Sequence, residues 1–131
     1  MLFRSQVPLC QTALDLLEMS RFLDPDSQYL FSKNGKHLSN MAMLLCAKRI
    51  DPSITVHGFR STLRDWVSEE SDHNPEVVEM ALSHTIRNKV EAAYRRGKLL
   101  ERRRLLMRDW ESYCLTGQWR NEIELEEKTI A

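Results

Sequence analysis

A chain of 131 residues fits one domain and is long enough to bury a core. Apolar residues at 42% and charged residues at 29% exclude wholesale disorder, and no apolar run approaches the roughly 18 residues that span a bilayer. Formal net charge is zero, so any contact with nucleic acid must come from how charge is distributed along the chain and not from its sum.

The first residues lack the charged-then-apolar pattern of a secretory signal, which makes the cytoplasm the expected location. Val7-Pro8-Leu9 is apolar, and Pro8 forbids a continuing helix; the segment reads as the end of an edge strand or an extended lead-in. Ala13, Leu14, Leu16 and Leu17 predict a helix from Gln11 to about Met19, closed by the turn residues Asp24-Pro25-Asp26-Ser27. After the brief apolar Tyr29-Leu30-Phe31, residues 32–36 around Gly35 predict a loop. Ser39 is placed to cap a helix through about Arg49, with Leu38, Met41, Leu44 and Leu45 facing inward, and Asp51-Pro52 ends it.

Thr55 or Val56 opens the next helix, to about Glu70, whose core face is Phe59, Leu63, Trp66 and Val67. Pro75 suits the first turn of a helix ending near His84, with Val77, Val78, Ala81 and Leu82 inward. A short helix from Asn88 to about Arg96 is expected to end at Gly97. A longer one from Leu99 to about Cys114 buries Leu99, Leu106, Trp110 and Tyr113 and stops at Gly117. Residues 122–127 read equally as a strand, a frayed helix or a flexible tail. The expected fold is mainly α, with a short β remnant at the N-terminus. Cys10, Cys46 and Cys114 are odd in number and widely spaced, and read as small core hydrophobes; no metal site is expected.

Charge is segregated. Residues 51–86 and the tail from Asp109 are acidic on balance. Between them Arg87, Lys89, Arg95, Arg96, Lys98, Arg102, Arg103, Arg104 and Arg108 face only Glu91 and Glu101. Such a block can neutralise phosphates, and reads equally as a solvated helix face.

Four residues have the chemistry to cleave a phosphodiester: His57, Arg60, His84 and Tyr94. A tyrosine nucleophile stores the phosphate's energy in a covalent ester. The forked, permanently charged guanidinium of Arg clamps two phosphate oxygens, and His moves protons near neutral pH. His57 and Arg60 stand three apart and share a helix face. Singly, each has an ordinary use: a helix-start histidine, a surface ion-pair partner of Asp65 or Glu69, a C-terminal cap and a half-buried aromatic.

Together, and in this order, His57-Gly58-Phe59-Arg60, Leu82-Ser83-His84 and Ala93-Tyr94-Arg95-Arg96 resemble the catalytic half of a tyrosine recombinase of the phage and prophage integrase type. Val7-Pro8-Leu9 resembles the Val-Pro-Leu that ends the small sheet of many integrases, and Leu38-Ser39 their Leu-Ser segment. Glu101-Arg102-Arg103 through Met107 and Trp110 is similar to the helix after their tyrosine. The resemblance runs to about Tyr113.

It implies that residues 1–116 are the C-terminal portion of a catalytic domain and that 117–131 form a tail able to dock on a neighbouring subunit. It further implies Tyr94 as nucleophile, Arg60 on the scissile phosphate, and His57 and His84 bonding the phosphate or moving protons, with Arg87, Lys89, Arg95, Arg96 and Lys98 on DNA. The partners implied are double-stranded DNA and further copies, in a tetramer, with no metal, cofactor or membrane. The family's other catalytic Arg and its Lys belong upstream, and Arg4 sits where neither should be, so negligible recombination is expected of this chain alone. The alternatives are a non-catalytic DNA-binding or subunit-interaction fragment, or a decayed integrase remnant.

Overall fold

The fold is a computed structural model. It describes residues 6–82 and 89–118, and of residues 89–98 it describes only the backbone. Residues 122–127, read equally as a strand, a frayed helix or a flexible tail, lie outside the described residues.

The chain is mainly α. Helices span Gln11–Leu23 (α1), Ala42–Ile50 (α2), Val56–Glu69 (α3), Pro75–Ala81 (α4) and Lys89–Thr116 (α5). The β structure is a two-stranded antiparallel hairpin, Ser32–Lys33 (β1) with Lys36–His37 (β2). It stands where a loop was predicted, while Val7 to Leu9 is an extended lead-in and not a strand. The reason is the Asn34-Gly35 dipeptide, both of whose residues have positive φ, 53° and 71°, the conformation whose twist matches that of paired strands. Asp24, just past α1, ties the hairpin down: its carboxylate accepts from Ser32 Oγ and, at 3.1 Å, from Gly35 N. Those bonds, the Ser32 hydroxyl foremost, hold the Asp24 carboxyl below its ordinary range.

The core lies in the C-terminal half. Leu63, Trp66 and Val67 from α3, Val77 and Val78 from α4, Leu82, and Leu99 and Leu106 from α5 form one buried cluster, with Trp110 and Tyr113 packed against it. Thr55 caps α3 and Asn74 caps α4, each side chain accepting a backbone N–H of the first turn. Gly117, at φ 75°, ends α5 as predicted, its N–H bonded 2.8 Å to Tyr113 O. Gly97 does not break that helix: α5 is one element of 28 residues, where two helices were expected. A single glycine costs a helix interior only about 1 kcal/mol, and the strong helix formers around Gly97 outweigh it.

The N-terminal half is much less covered. No residue of α1 is buried, and α2 buries only Ala47. Leu38, Met41 and Leu45, expected inward, are exposed, as is Phe59 of α3, because no described element lies over them. Met41 and not Ser39 occupies the α2 cap position; Ser39 O instead closes the preceding turn by accepting from Ala42 N at 3.0 Å. Cys46 and Cys114 are exposed and Cys10 is half-buried, so none of the three is a core residue.

Polar contacts join the lead-in and α1 to α5. Arg103 Nη1 donates to Gln6 O at 2.8 Å, and Thr12 N, in the first turn of α1, donates to Glu111 Oε1 at 2.6 Å. The second satisfies an N–H that the helix cannot bond itself. Bonding to Thr12 holds the Glu111 carboxyl below its ordinary value of 4.5.

Candidate functional site

The first turn of α3 begins the site. Thr55 Oγ1 accepts from Gly58 N at 3.0 Å, and a Cβ at residue 58 would stand only 3.1 Å from that hydroxyl, so the small residue inside the His57–Arg60 box lets the cap close. His57 is exposed at the start of the helix. Arg60, one turn on and half-buried, reaches across to α4 and donates from Nη2 to Leu82 O at 2.5 Å. That carbonyl ends α4, immediately before Ser83-His84. A helix C-terminus carries partial negative charge, which favours a guanidinium there. The contact is to a different element, not to Asp65 or Glu69, the ordinary ion-pair partners that its own helix offers.

Arg60 is thus brought to the residue from which the His84 segment departs. His84 and Arg87 lie outside the described residues. Tyr94, Lys89, Arg95, Arg96 and Lys98 belong to α5, and their side chains lie outside the described residues. Beside the first turn of α3 is an open depression of about 430 Å3, lined by residues that include Met41, Met43, Leu44, Thr55 and Val56.

The described part of the basic block divides. Arg102, Arg104 and Arg108 are exposed, with Arg104 Nη1 3.6 Å from Glu101 Oε1. Arg103 is only 5% exposed and is committed to Gln6 O, so it does not share the exposed face of the block.

One pair escaped the sequence reading. His73, in the turn between α3 and α4, places Nε2 2.9 Å from Asp109 Oδ2 on α5, with side chains 8% and 3% exposed. The signal was present in the register of α5. Residues 99, 103, 106, 110 and 113 form its inward stripe, and Asp109 adjoins that stripe; a charged residue there needs a buried partner.

In sequence the chain is similar to integrases of phages and prophages. It is 33% identical over 109 residues to prophage integrase IntA of Escherichia coli K12, a match covering 79% of this chain and 26% of that protein. The integrase of Enterobacteria phage P4 is 30% identical over 115 residues, covering 82% of this chain and 26% of the relative. For prophage integrase IntZ of Escherichia coli K12 the identity is 31% over 108 residues, with 79% and 27% covered. The chain therefore spans about a quarter of the length of each relative. No protein-family model matches it. No solved structure matches it either.

Proposed function

We propose that this chain is part of a site-specific DNA recombinase of the tyrosine type, with residues 1–116 forming the C-terminal portion of its catalytic domain and 117–131 a tail that docks on a neighbouring subunit. The observation that carries this is the relationship to three integrases: a continuous match over 79% of 131 residues, wherever it begins, spans residues 57 to 94.

In this reading the Tyr94 hydroxyl attacks the scissile phosphorus. The new oxygen–phosphorus bond forms as the bond to the 5′ oxygen breaks, giving a 3′-phosphotyrosyl ester; the tyrosine hydroxyl gives up its proton, and the departing 5′ oxygen takes up one to become a free hydroxyl. Attack by another strand's 5′ hydroxyl reverses the step, and exchange proceeds in a tetramer on duplex DNA. Arg60 holds the phosphate through the guanidinium nitrogens not bonded to Leu82 O, and His57 and His84 donate hydrogen bonds or move protons. The chemistry calls for no metal and no nucleotide. Arg87, Lys89, Arg95, Arg96 and Lys98 line the DNA backbone, joined by exposed Arg102 and Arg104.

Recombination by the 131 residues by themselves is proposed to be negligible. A single transition-state donor is worth about 100- to 1000-fold in rate, and the family's chemistry needs a second Arg and a Lys. A duplex-binding titration tests the reading. Affinity should fall steeply between about 50 and 200 mM salt, as phosphate neutralisation requires. Tyr94→Phe should leave binding intact and remove any covalent adduct. Salt-independent binding, or an adduct that persists in the variant, would overturn it.

One contact favours a second reading, a DNA-binding or subunit-interaction piece without catalysis: Arg60 already serves the end of α4. Under that reading, binding is indifferent to substitution of Tyr94, Arg60 and His84.

A further inference from the structure

His73 and Asp109 take no part in the chemistry proposed above, yet they are a buried, directly bonded pair of titratable side chains joining elements 36 residues apart. The imidazole lies against the Trp66 ring, with centroids 5.9 Å apart, and Trp66 in turn packs on Trp110 at 5.2 Å. Asp109 Oδ1 also has Arg108 Nε at 3.7 Å, the Arg108 side chain being largely exposed.

Such a pair is a poor stabilising device. Desolvating both groups offsets most of their attraction, and replacing a buried pair by apolar side chains is often neutral or stabilising, whereas removing one partner is costly. What the pair supplies is direction. The apolar stripe Leu99, Leu106 and Trp110 holds α5 to the core with little regard to angle, since burial is non-directional; Tyr113 Oη also donates to Glu70 Oε2 at 3.2 Å, but that bond is exposed and competes with water. A hydrogen bond weakens steeply once it is misaligned.

We propose that His73 and Asp109 are positioning residues: a pin that fixes the rotation of α5 against the α3–α4 turn and thereby the helical face on which residue 94 stands. The consequence for cleavage rests on the proposed role of Tyr94; the pin itself does not. Tyr94 stands fifteen residues before Asp109 on the same helix, roughly 22 Å along its axis. A helix slipping by 15° would carry a group on the order of 5.5 Å from its axis through about 1.4 Å. Misplacement by about 1 Å is enough to cost roughly 100-fold in rate.

The test uses the 131-residue chain labelled with fluorotyrosine. It has three tyrosines, 29, 94 and 113, and Tyr94→Phe assigns the resonance of interest in fluorine NMR. The double variant His73→Leu/Asp109→Ala removes the pair at similar combined volume. It should melt within a few degrees of the parent while the Tyr94 resonance broadens or splits and that of Tyr29 stays in place. Asp109→Ala alone, which removes the acceptor, should perturb the Tyr94 resonance in the same way. An unchanged Tyr94 resonance in a folded variant overturns the pin. So does a large loss of melting temperature with all three resonances moving together, which would make the pair ordinary packing. Should the double variant not fold, Asp109→Ala alone decides by the same criterion. No DNA enters this readout, so its failure is distinct from failure of the cleavage reading, which the adduct experiment reports.

Discussion

Arg102 and Arg103 are neighbours in sequence, and the structure assigns them opposite fates. Arg103 is buried, donates from Nη1 to Gln6 O, and has an Nε without a hydrogen-bond partner. Truncation to alanine removes a charge-assisted bond of about 2 kcal/mol. It also removes a packed methylene stem worth about 2 kcal/mol. Against this, about 1 kcal/mol returns from relieving the buried Nε. The sum is a loss of about 3 kcal/mol. With unfolding entropy near 2.1 cal/mol/K per residue, a chain of 131 residues shifts by about 3.6 °C per kcal/mol, so Arg103→Ala should lower the melting temperature by about 11 °C. Arg103→Met keeps the stem and should cost about 1 kcal/mol, or about 4 °C.

Arg102→Ala, on the exposed face, should stay within about 0.5 kcal/mol of the parent. If Arg102 touches a phosphate, its loss should reduce the slope of log affinity against log salt by about 1, while Arg103→Met leaves the slope unchanged. Calorimetric melting and duplex binding at several salt concentrations read both effects. A neutral Arg103→Ala, or an Arg103→Met that flattens the salt dependence, would refute the assignment of Arg103 to the fold.

Leu106, with no exposed surface, should cost about 3–4 kcal/mol on replacement by alanine, measured by urea unfolding, because Trp66 and its neighbours are too tightly packed to collapse into the space. Thr55→Ala should cost about 1 kcal/mol and speed amide exchange in the first turn of α3, where His57 sits. The lowered Glu111 carboxyl contributes stability that is present above its ordinary value of 4.5 and is lost as pH falls through the lower folded value. Glu111→Gln should therefore flatten the acid limb of a melting-temperature profile below about pH 4.5, leaving the dependence near pH 7 unchanged.

The elements that were legible in the sequence owe it to strong local signals: the Thr55 cap with Leu63, Trp66 and Val67 behind it, Asn74-Pro75 opening α4, and Gly117 closing α5. Asn34-Gly35 was equally legible as a hairpin turn, and reading residues 32–36 as a loop gave too little weight to two adjacent positive-φ formers. Gly97 misled in the other direction, since its local penalty is small beside the propensity of its neighbours. Phe59, Met41 and Leu45 have helical spacing, but periodicity tells which residues share a face and not whether another element covers it. Of the candidate site, the Arg60–Leu82 contact and the His73–Asp109 pair join residues 22 and 36 apart; the register of α5 marks Asp109 as needing a partner, but no local pattern names which residue supplies it.

Two contacts that fasten the beginning of the chain to α5 bridge separations of 97 and 99 residues. On a ribosome adding about 5–20 residues per second, α1 therefore waits roughly 5–20 s for the partner that completes its first turn. Throughout that interval Phe22 and Leu23, still more than four-fifths exposed in the finished fold, stand in water without Glu111 or Arg103 to hold the segment in place. Slower elongation therefore lengthens the interval in which α1 lacks those two contacts.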